Sequence, residues 1–343
     1  MKIVNVLFGL VVICVMAGCE LIEKAVRDIG ISISSEELND FIKTVKGNMI
    51  FVEGGEYLMG DYGVEYGPEG LPYDLNKNNK PLHKVQLASF FMAKFKITNE
   101  EYGLYLASNK LSARQDAAGD EEFIQVSIPP NNPAHIDWYE AENYCNWLAD
   151  VTKLPFALPT EAQWEYAARS RGRFLMVATD DGTYKVTNDS ATKDWRSGPR
   201  GINISTLRDR EEFGDEMKWT TGIYSPLPVD RFPPNPLGLY SMSDNGFEWV
   251  SDWYDPDYYQ YSPIHNPQGP DQPVYKGRDS NHQYAKVLRG IAYANPLWGG
   301  GVNVQRSYRS PDGYVQNFLS DGSFLNLSDK TARCVLNSEG PLE

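Results

Sequence analysis

Cys145 and Cys334 lie 189 positions apart, so a chain that joins them must fold its middle back against its own C-terminal end. Whether they join depends on the compartment, and the first residues bear on that. Lys2 precedes an apolar run, Ile3 to Met16, broken by Asn5 and Gly9 and followed by Ala17-Gly18-Cys19. The run is shorter than the ~20 apolar residues a membrane-spanning helix needs. Its charged, apolar and small-residue parts are those of a secretory signal. The Ala-Gly-Cys ending resembles a bacterial lipobox, with Cys19 as the lipidated first residue of the mature protein. An ordinary signal peptide with an incidental cysteine is the plainer alternative. Glu20, rather than Asp, after the cysteine implies sorting to the outer membrane, facing the periplasm.

The organisation expected is a signal peptide over 1–18, a lipidated tether with a short helix over 19–47, and one domain over 48–338. Removing residues 1–18, which hold one Lys and no acid, takes the formal charge from −14 to −15 and leaves 325 of 343 residues. A chain this acidic offers no footprint for phosphate backbones, so nucleic acid is not an expected partner. It suits a basic protein partner, or serves solubility alone. With the leader and Cys19 set aside, only Cys145 and Cys334 remain. In an oxidising compartment they are most simply a disulfide, and the closed loop constrains the unfolded chain by roughly 4–5 kcal/mol on a loop-entropy model.

Local patterns divide the domain further. Ser34 and Glu37 have capping-box spacing, Leu38, Phe41, Ile42 and Val45 share a helical face, and Gly47 supplies a stop. Met49 to Gly60 changes to strand character around a Gly-Gly turn, and residues 61–81 read as a loop. Thr98 is placed to cap a helix carrying Tyr102, Tyr105 and Leu106. Another helix runs from about Tyr139 to Val151, with Ala141, Tyr144, Cys145 and Leu148 at helical spacing. Thr160 and Gln163 open a third. Gly172 to Pro234 is polar and reads as long loops with few regular elements. Strands are expected at Lys286–Arg289 and near Ala332–Leu336.

Six stretches carry a resemblance: GGEYLMGD, FKITNEEYGLYLA, DWYEAENYCNWL, LPTEAQWEYAAR, PNPLGLYSMSDNGFEWVSDWY and VLRG. Together, and in this order, they resemble the formylglycine-generating enzyme, or sulfatase-modifying factor, family over most of residues 50–336. The resemblance implies an α+β fold, an elaborated C-type-lectin-like domain with long loops and little regular structure. It also implies that Cys145 and Cys334 occupy the family's structural disulfide positions, although the second motif is altered to Ala332-Arg333-Cys334.

The family's generating enzymes oxidise a sulfatase cysteine with copper held by two cysteines, a soft ion on soft thiolates. Those cysteines belong to the segment that is Ile291 to Ser310 here, and this chain has no cysteine in it. No copper is therefore expected. The four histidines, His83, His135, His265 and His282, show no ligand spacing, and no nucleophile-elbow pattern occurs. Calcium is expected as a structural ion, because family members bind it. Carried over by position, Asn245 and Glu248 would give side-chain oxygens, with carbonyls at Asp244 and Gly246. A second site resembles Asn203 and Ile204 followed by Asp215, about two residues off the pattern. Trp138, Trp164, Trp249 and Trp253 read as core. Trp298, in a Gly-rich loop near Arg306, Tyr308 and Arg309, either lines a binding groove, since Trp, Tyr and Arg dominate binding hot spots, or fills the space left by the absent copper site.

The reading that follows is a lipid-anchored, non-catalytic binding protein of the bacterial envelope. Its partner would be an envelope or secreted protein or peptide, in envelope assembly or as an immunity protein against a toxin. The rival is an oxidoreductase-like enzyme of the same family with altered metal chemistry.

Overall fold

A computed structural model describes residues 33–112, 121–188, 198–277, 283–292, 301–312, 317–318, 324–325, 329–338 and 340. Cys19 and the rest of residues 1–32, where the signal peptide and most of the tether are expected, lie outside that set. The strands are β1 (Met49–Val52), β2 (Gly55–Met59), β3 (His83–Leu87), β4 (Phe90–Ala93), β5 (Phe156–Ala157), β6 (Phe247–Trp253), β7 (Lys286–Arg289), β8 (Ser307–Arg309), β9 (Asn317–Phe318), β10 (Phe324–Leu325), β11 (Lys330–Thr331) and β12 (Val335–Leu336). The helices are α1 (Ser35–Gly47), α2 (Gly63–Tyr66), α3 (Asn99–Ser108), α4 (Glu121–Ser127), α5 (Trp138–Thr152), α6 (Glu161–Ala168) and α7 (Leu207–Met217). The strands form two four-stranded sheets, β1-β4-β12-β5 and β11-β6-β7-β8, and two ribbons, β2-β3 and β9-β10. Long connections join them, as the α+β expectation requires.

Helix starts follow side-chain chemistry. Ser34 caps α1 with Glu37, Thr98 caps α3 with Glu101, and Thr160 caps α6 with Gln163, each as a reciprocal capping box. Asp137 caps α5 through Glu140 in the same way, one residue ahead of the expected start. Between β1 and β2 the Gly-Gly turn does not close a hairpin. β1 pairs with β4 and β2 with β3, so the turn passes the chain from one sheet to a separate ribbon. A Cβ at Gly54 would sit 2.3 Å from the Leu87 carbonyl, which explains the glycine at that crossing.

Residues 172–234 are not all loop. The α7 helix spans 11 of them, capped by Thr206 with Asp209. Its buried residues are Arg210, Glu211 and Gly214, so it has no apolar stripe for a hydrophobic-periodicity reading to find. The predicted C-terminal strand over 332–336 is shorter, with only Val335 and Leu336 in β12.

Apolar packing gathers in two main clusters. One joins β2, β3, α6 and β7 through Tyr57, Val85, Trp164, Tyr166 and Val287. The other lies under α5, where Tyr144, Trp147 and Leu148 meet Phe156, Trp249 and Leu336. Phe41 of α1 stacks on Trp147 at 5.6 Å, so α1 docks on α5. The loop after β2 is ordered by charge instead. Asp61 accepts from the backbone N–H groups of Gly63, Tyr73 and Asp74. Lys80 Nζ then lies 2.8–3.1 Å from Asp74 O, Asn76 O, Asn79 Oδ1 and Asp61 Oδ2.

Cys145 of α5 is bonded to Cys334, which immediately precedes β12, with Cα atoms 5.7 Å apart. Both cysteines are buried in the α5 cluster. Thiol titration of the denatured, unreduced domain should find neither cysteine free. Replacing both with alanine should cost about 2–5 kcal/mol in urea unfolding. Two titratable thiols, or unchanged stability, would contradict the bridge.

Candidate functional site

The α6 helix is buried on nearly every side, including both of its carboxylates, Glu161 and Glu165. Burying acids is costly unless cations meet them, and three arginines do. Arg289 of β7 reaches Glu161 at 2.7 Å and Glu165 at 2.8 Å. Arg306 chelates Glu161 through Nε at 2.7 Å and Nη2 at 2.9 Å. Arg169 pairs with Glu165 at 2.9 Å, one turn along the chain. Burial would raise the Glu161 carboxyl, but Arg306 and Arg289 outweigh it and hold it below the ordinary value.

Arg306 is therefore not a groove residue. It is 3 % exposed, and its remaining N–H groups donate to the Asn78 and Asp255 carbonyls. Tyr308 is half-buried, its ring stacked on Tyr254 at 4.3 Å and its hydroxyl 3.2 Å from that of Tyr275. Arg309 alone of the three is exposed, and it bonds back to the Tyr308 carbonyl. Trp298 lies outside the described residues.

Near the Asn245–Gly246 turn three of the expected metal ligands, the Asn245 and Glu248 side chains and the Gly246 carbonyl, are already engaged. Both residues have positive φ, 63° and 109°, which Asn and Gly tolerate. The Asn245 amide is closed on Leu227, accepting from its N–H at 2.9 Å and donating to its carbonyl at 2.7 Å. Asp244 pairs with Arg210. Glu248 is fully buried; its oxygens accept from Lys96 at 2.7 Å, Arg333 at 2.7 and 2.8 Å, and the Trp164 indole at 3.0 Å. Burial would raise this carboxyl, yet Arg333 and Lys96 bring it down to about 2. Calcium needs several oxygens free of competing cations, and this donor set does not fit it.

The second expected site fares similarly. Asn203 accepts from the Lys185 N–H at 2.8 Å and donates to Asp180 at 2.7 Å and the Thr183 carbonyl at 2.9 Å. Its acid is Asp180, while Asp215 is exposed near the end of α7. Ile204 is buried. Among the described residues no three His, Cys, Asp or Glu side chains converge as a metal site. The indoles behave as core: Trp138 donates to Val250 O and Trp249 to Ile136 O. Trp253 differs, because with Trp138 it flanks Lys286, whose Nζ lies 3.7 and 3.9 Å from the two rings.

Sequence reading missed Lys96, Glu161, Glu165, Arg169, Arg210, Asp252 and Arg289. A signal existed for two of them. Glu161 and Glu165 are one helical turn apart in LPTEAQWEYAAR, interleaved with Ala162, Trp164, Tyr166, Ala167 and Ala168, whose types are often buried. For Asp252 there was none: it accepts from the Glu161 N–H at 2.8 Å only because α6 abuts β6 in space.

Two buried groups should shape the pH dependence in opposite directions. Burial pushes His135 down to about 4, and burial with the Glu161 charge pushes Asp252 up to about 7. Between pH 6.5 and 4 the unfolded chain protonates His135 before the folded one does, so stability falls as pH falls. Asp252 takes up its proton in the folded state first, between about pH 7 and 3.8, so stability rises as pH falls. Asp252→Asn should therefore steepen the acid loss in urea titrations, and His135→Gln should weaken it, each by on the order of 3 kcal/mol. Identical profiles for both variants and wild type would refute this assignment.

Comparisons with known proteins place the scaffold. The chain is 30% identical over 243 residues to the serine/threonine-protein kinase pkn1 of Chlamydia pneumoniae, covering 66% of this chain and 32% of that one. It thus spans about a third of the length of that relative. It is 29% identical over 281 residues to the formylglycine-generating enzyme of Streptomyces coelicolor, covering 70% of this chain and 76% of that one. The inactive C-alpha-formylglycine-generating enzyme 2 of Mus musculus matches at 24% over 247 residues, 61% of this chain and 70% of that one. The solved structure of PvdO from Pseudomonas aeruginosa superimposes with a TM-score of 0.54 at 20% identity, over 84% of this chain and 93% of that one. The model of the sulfatase-modifying factor enzyme 1-like domain matches residues 35–314. Because that model covers most of the chain, the protein belongs to the sulfatase-modifying factor enzyme family.

Proposed function

We propose that this protein is a non-catalytic member of its family, held in the bacterial envelope by lipid on Cys19, that binds a protein or peptide partner. One observation carries the non-catalytic part. Beyond the leader and Cys19 the chain has two cysteines, and they are bonded to each other. No thiol pair remains for Cu(I), the ion that thiolate ligands select. An inactive relative at 24% identity supports the same reading. Beside α6, Arg169, Arg289 and Arg306 form a buried ionic core with Glu161 and Glu165.

The binding part rests on what stays available. β8 is an edge strand of its sheet, and Arg309 on it is exposed. An edge strand offers unpaired backbone groups to a partner, and Arg and Trp are common anchors of such contacts. Arg309 and Trp298 are accordingly assigned to the interface, with an acidic body that suits a basic envelope or secreted protein. Assembly of an envelope structure and neutralisation of a toxin both fit this chemistry.

Copper-loaded protein given a cysteine-containing sulfatase peptide should consume oxygen no faster than a buffer blank. Turnover above the blank would establish the enzyme reading instead. A photo-crosslinker at position 309 of the full lipidated chain should capture one basic envelope protein, and Trp298→Ala should cut that yield at least about tenfold, the loss of one hot-spot anchor. An unchanged yield would remove Trp298 from the interface.

A further inference from the structure

The Glu248 cluster carries an inference that does not depend on any binding partner. We propose that Lys96, acting with Arg333, is a tethered substitute for a divalent cation, so that this member of the family folds without calcium. The Lys96 side chain is entirely buried. Its ammonium reaches Gly246 O at 2.9 Å, Glu248 Oε1 at 2.7 Å and Thr331 Oγ1 at 3.4 Å. A carbonyl and a carboxylate from residues 246–248 and a hydroxyl from β11 thus converge on one positive centre. That is the mixed oxygen chemistry a calcium ion gathers.

Arg333 completes the charge. Besides both Glu248 oxygens, it donates to the carbonyls of Ala93, Lys94 and Tyr240 at 3.0, 3.2 and 2.7 Å. Lys96 and Arg333 together bring two positive charges, the charge of the ion that the resemblance leads one to expect. The Gly246 carbonyl and the Glu248 carboxylate, two of the ligand groups assigned to calcium by position, are the two closest contacts of the ammonium. A calcium ion there would have to displace a fully buried ammonium and then lie beside Arg333. Coulomb repulsion between such close charges opposes that strongly in a low-dielectric interior.

The consequence is mechanical. The ammonium ties the Asn245–Gly246 turn, β6 and β11 together, the bridging task of a structural ion. Because the cation is covalently part of the chain, chelators and changes in free calcium cannot remove it.

Calorimetry of the wild-type protein in EDTA and in millimolar calcium tests this directly. The two melting temperatures should agree within about 1 °C, since only a ligand that binds the native state shifts the transition. Elemental analysis after purification in calcium should find far less than one calcium per chain. Lys96→Met, nearly isosteric but uncharged, should lower the melting temperature by on the order of 10 °C. One calcium per chain, with melting lowered on its removal, would overturn the proposal. So would a Lys96→Met variant as stable as wild type. If that variant fails to fold, the wild-type calcium content and chelator response decide the matter alone.

Discussion

Two carboxylates on one buried helix, Glu161 and Glu165, set the terms for everything packed around α6. Neither is solvated, so the fold must deliver cations to them from elsewhere in the chain. It does so from β7 with Arg289, from the segment before β8 with Arg306, and from the end of α6 with Arg169. Arg306 in turn donates to the Asn78 carbonyl, so the 61–82 loop, itself cinched by Asp61 and Lys80, is fastened to the same centre. Removing one member of such a set leaves a buried charge uncompensated, typically at a cost of about 3–5 kcal/mol. The arrangement selects one packing of the loops over others, which a scaffold with short strands needs.

The same logic governs β6, on the side that meets α6. Glu248 and Asp252 lie on one strand and meet different environments: two cations hold the first ionised, while burial beside Glu161 favours the proton on the second. Where the family resemblance suggests a metal, this chain places ammonium and guanidinium groups. Where it suggests a pair of copper-binding thiolates, the chain has no cysteine. The outcome is a family scaffold whose buried acids on α6 and β6 are met largely by internal cations.

Much of this was legible in the sequence, for identifiable reasons. Capping boxes at Ser34, Thr98 and Thr160 are local, and they placed three helices correctly. Cys145 and Cys334 were readable because no other cysteines competed for them. What escaped was non-local or polar. α7 buries Arg210 and Glu211 instead of an apolar stripe, so hydrophobic periodicity could not find it. Arg306 looked like a surface anchor because nothing in its neighbourhood of the chain discloses Glu161, 145 positions away. Glu248 resembled a metal ligand for the same reason: Lys96 and Arg333 are 152 and 85 positions distant. Sequence motifs mark which residues matter, and charge pairing across the fold decides what they do.

The buried polar residues around α6 hold the fold together and do not form an open cleft. A double-mutant cycle in urea between Glu161→Gln and Arg306→Met measures that coupling most directly. The expected result is a coupling energy of about 2 kcal/mol or more, the upper part of the range for contacting buried residues. A coupling near zero, with Arg306→Met as stable as wild type, would contradict it and return Arg306 to the surface.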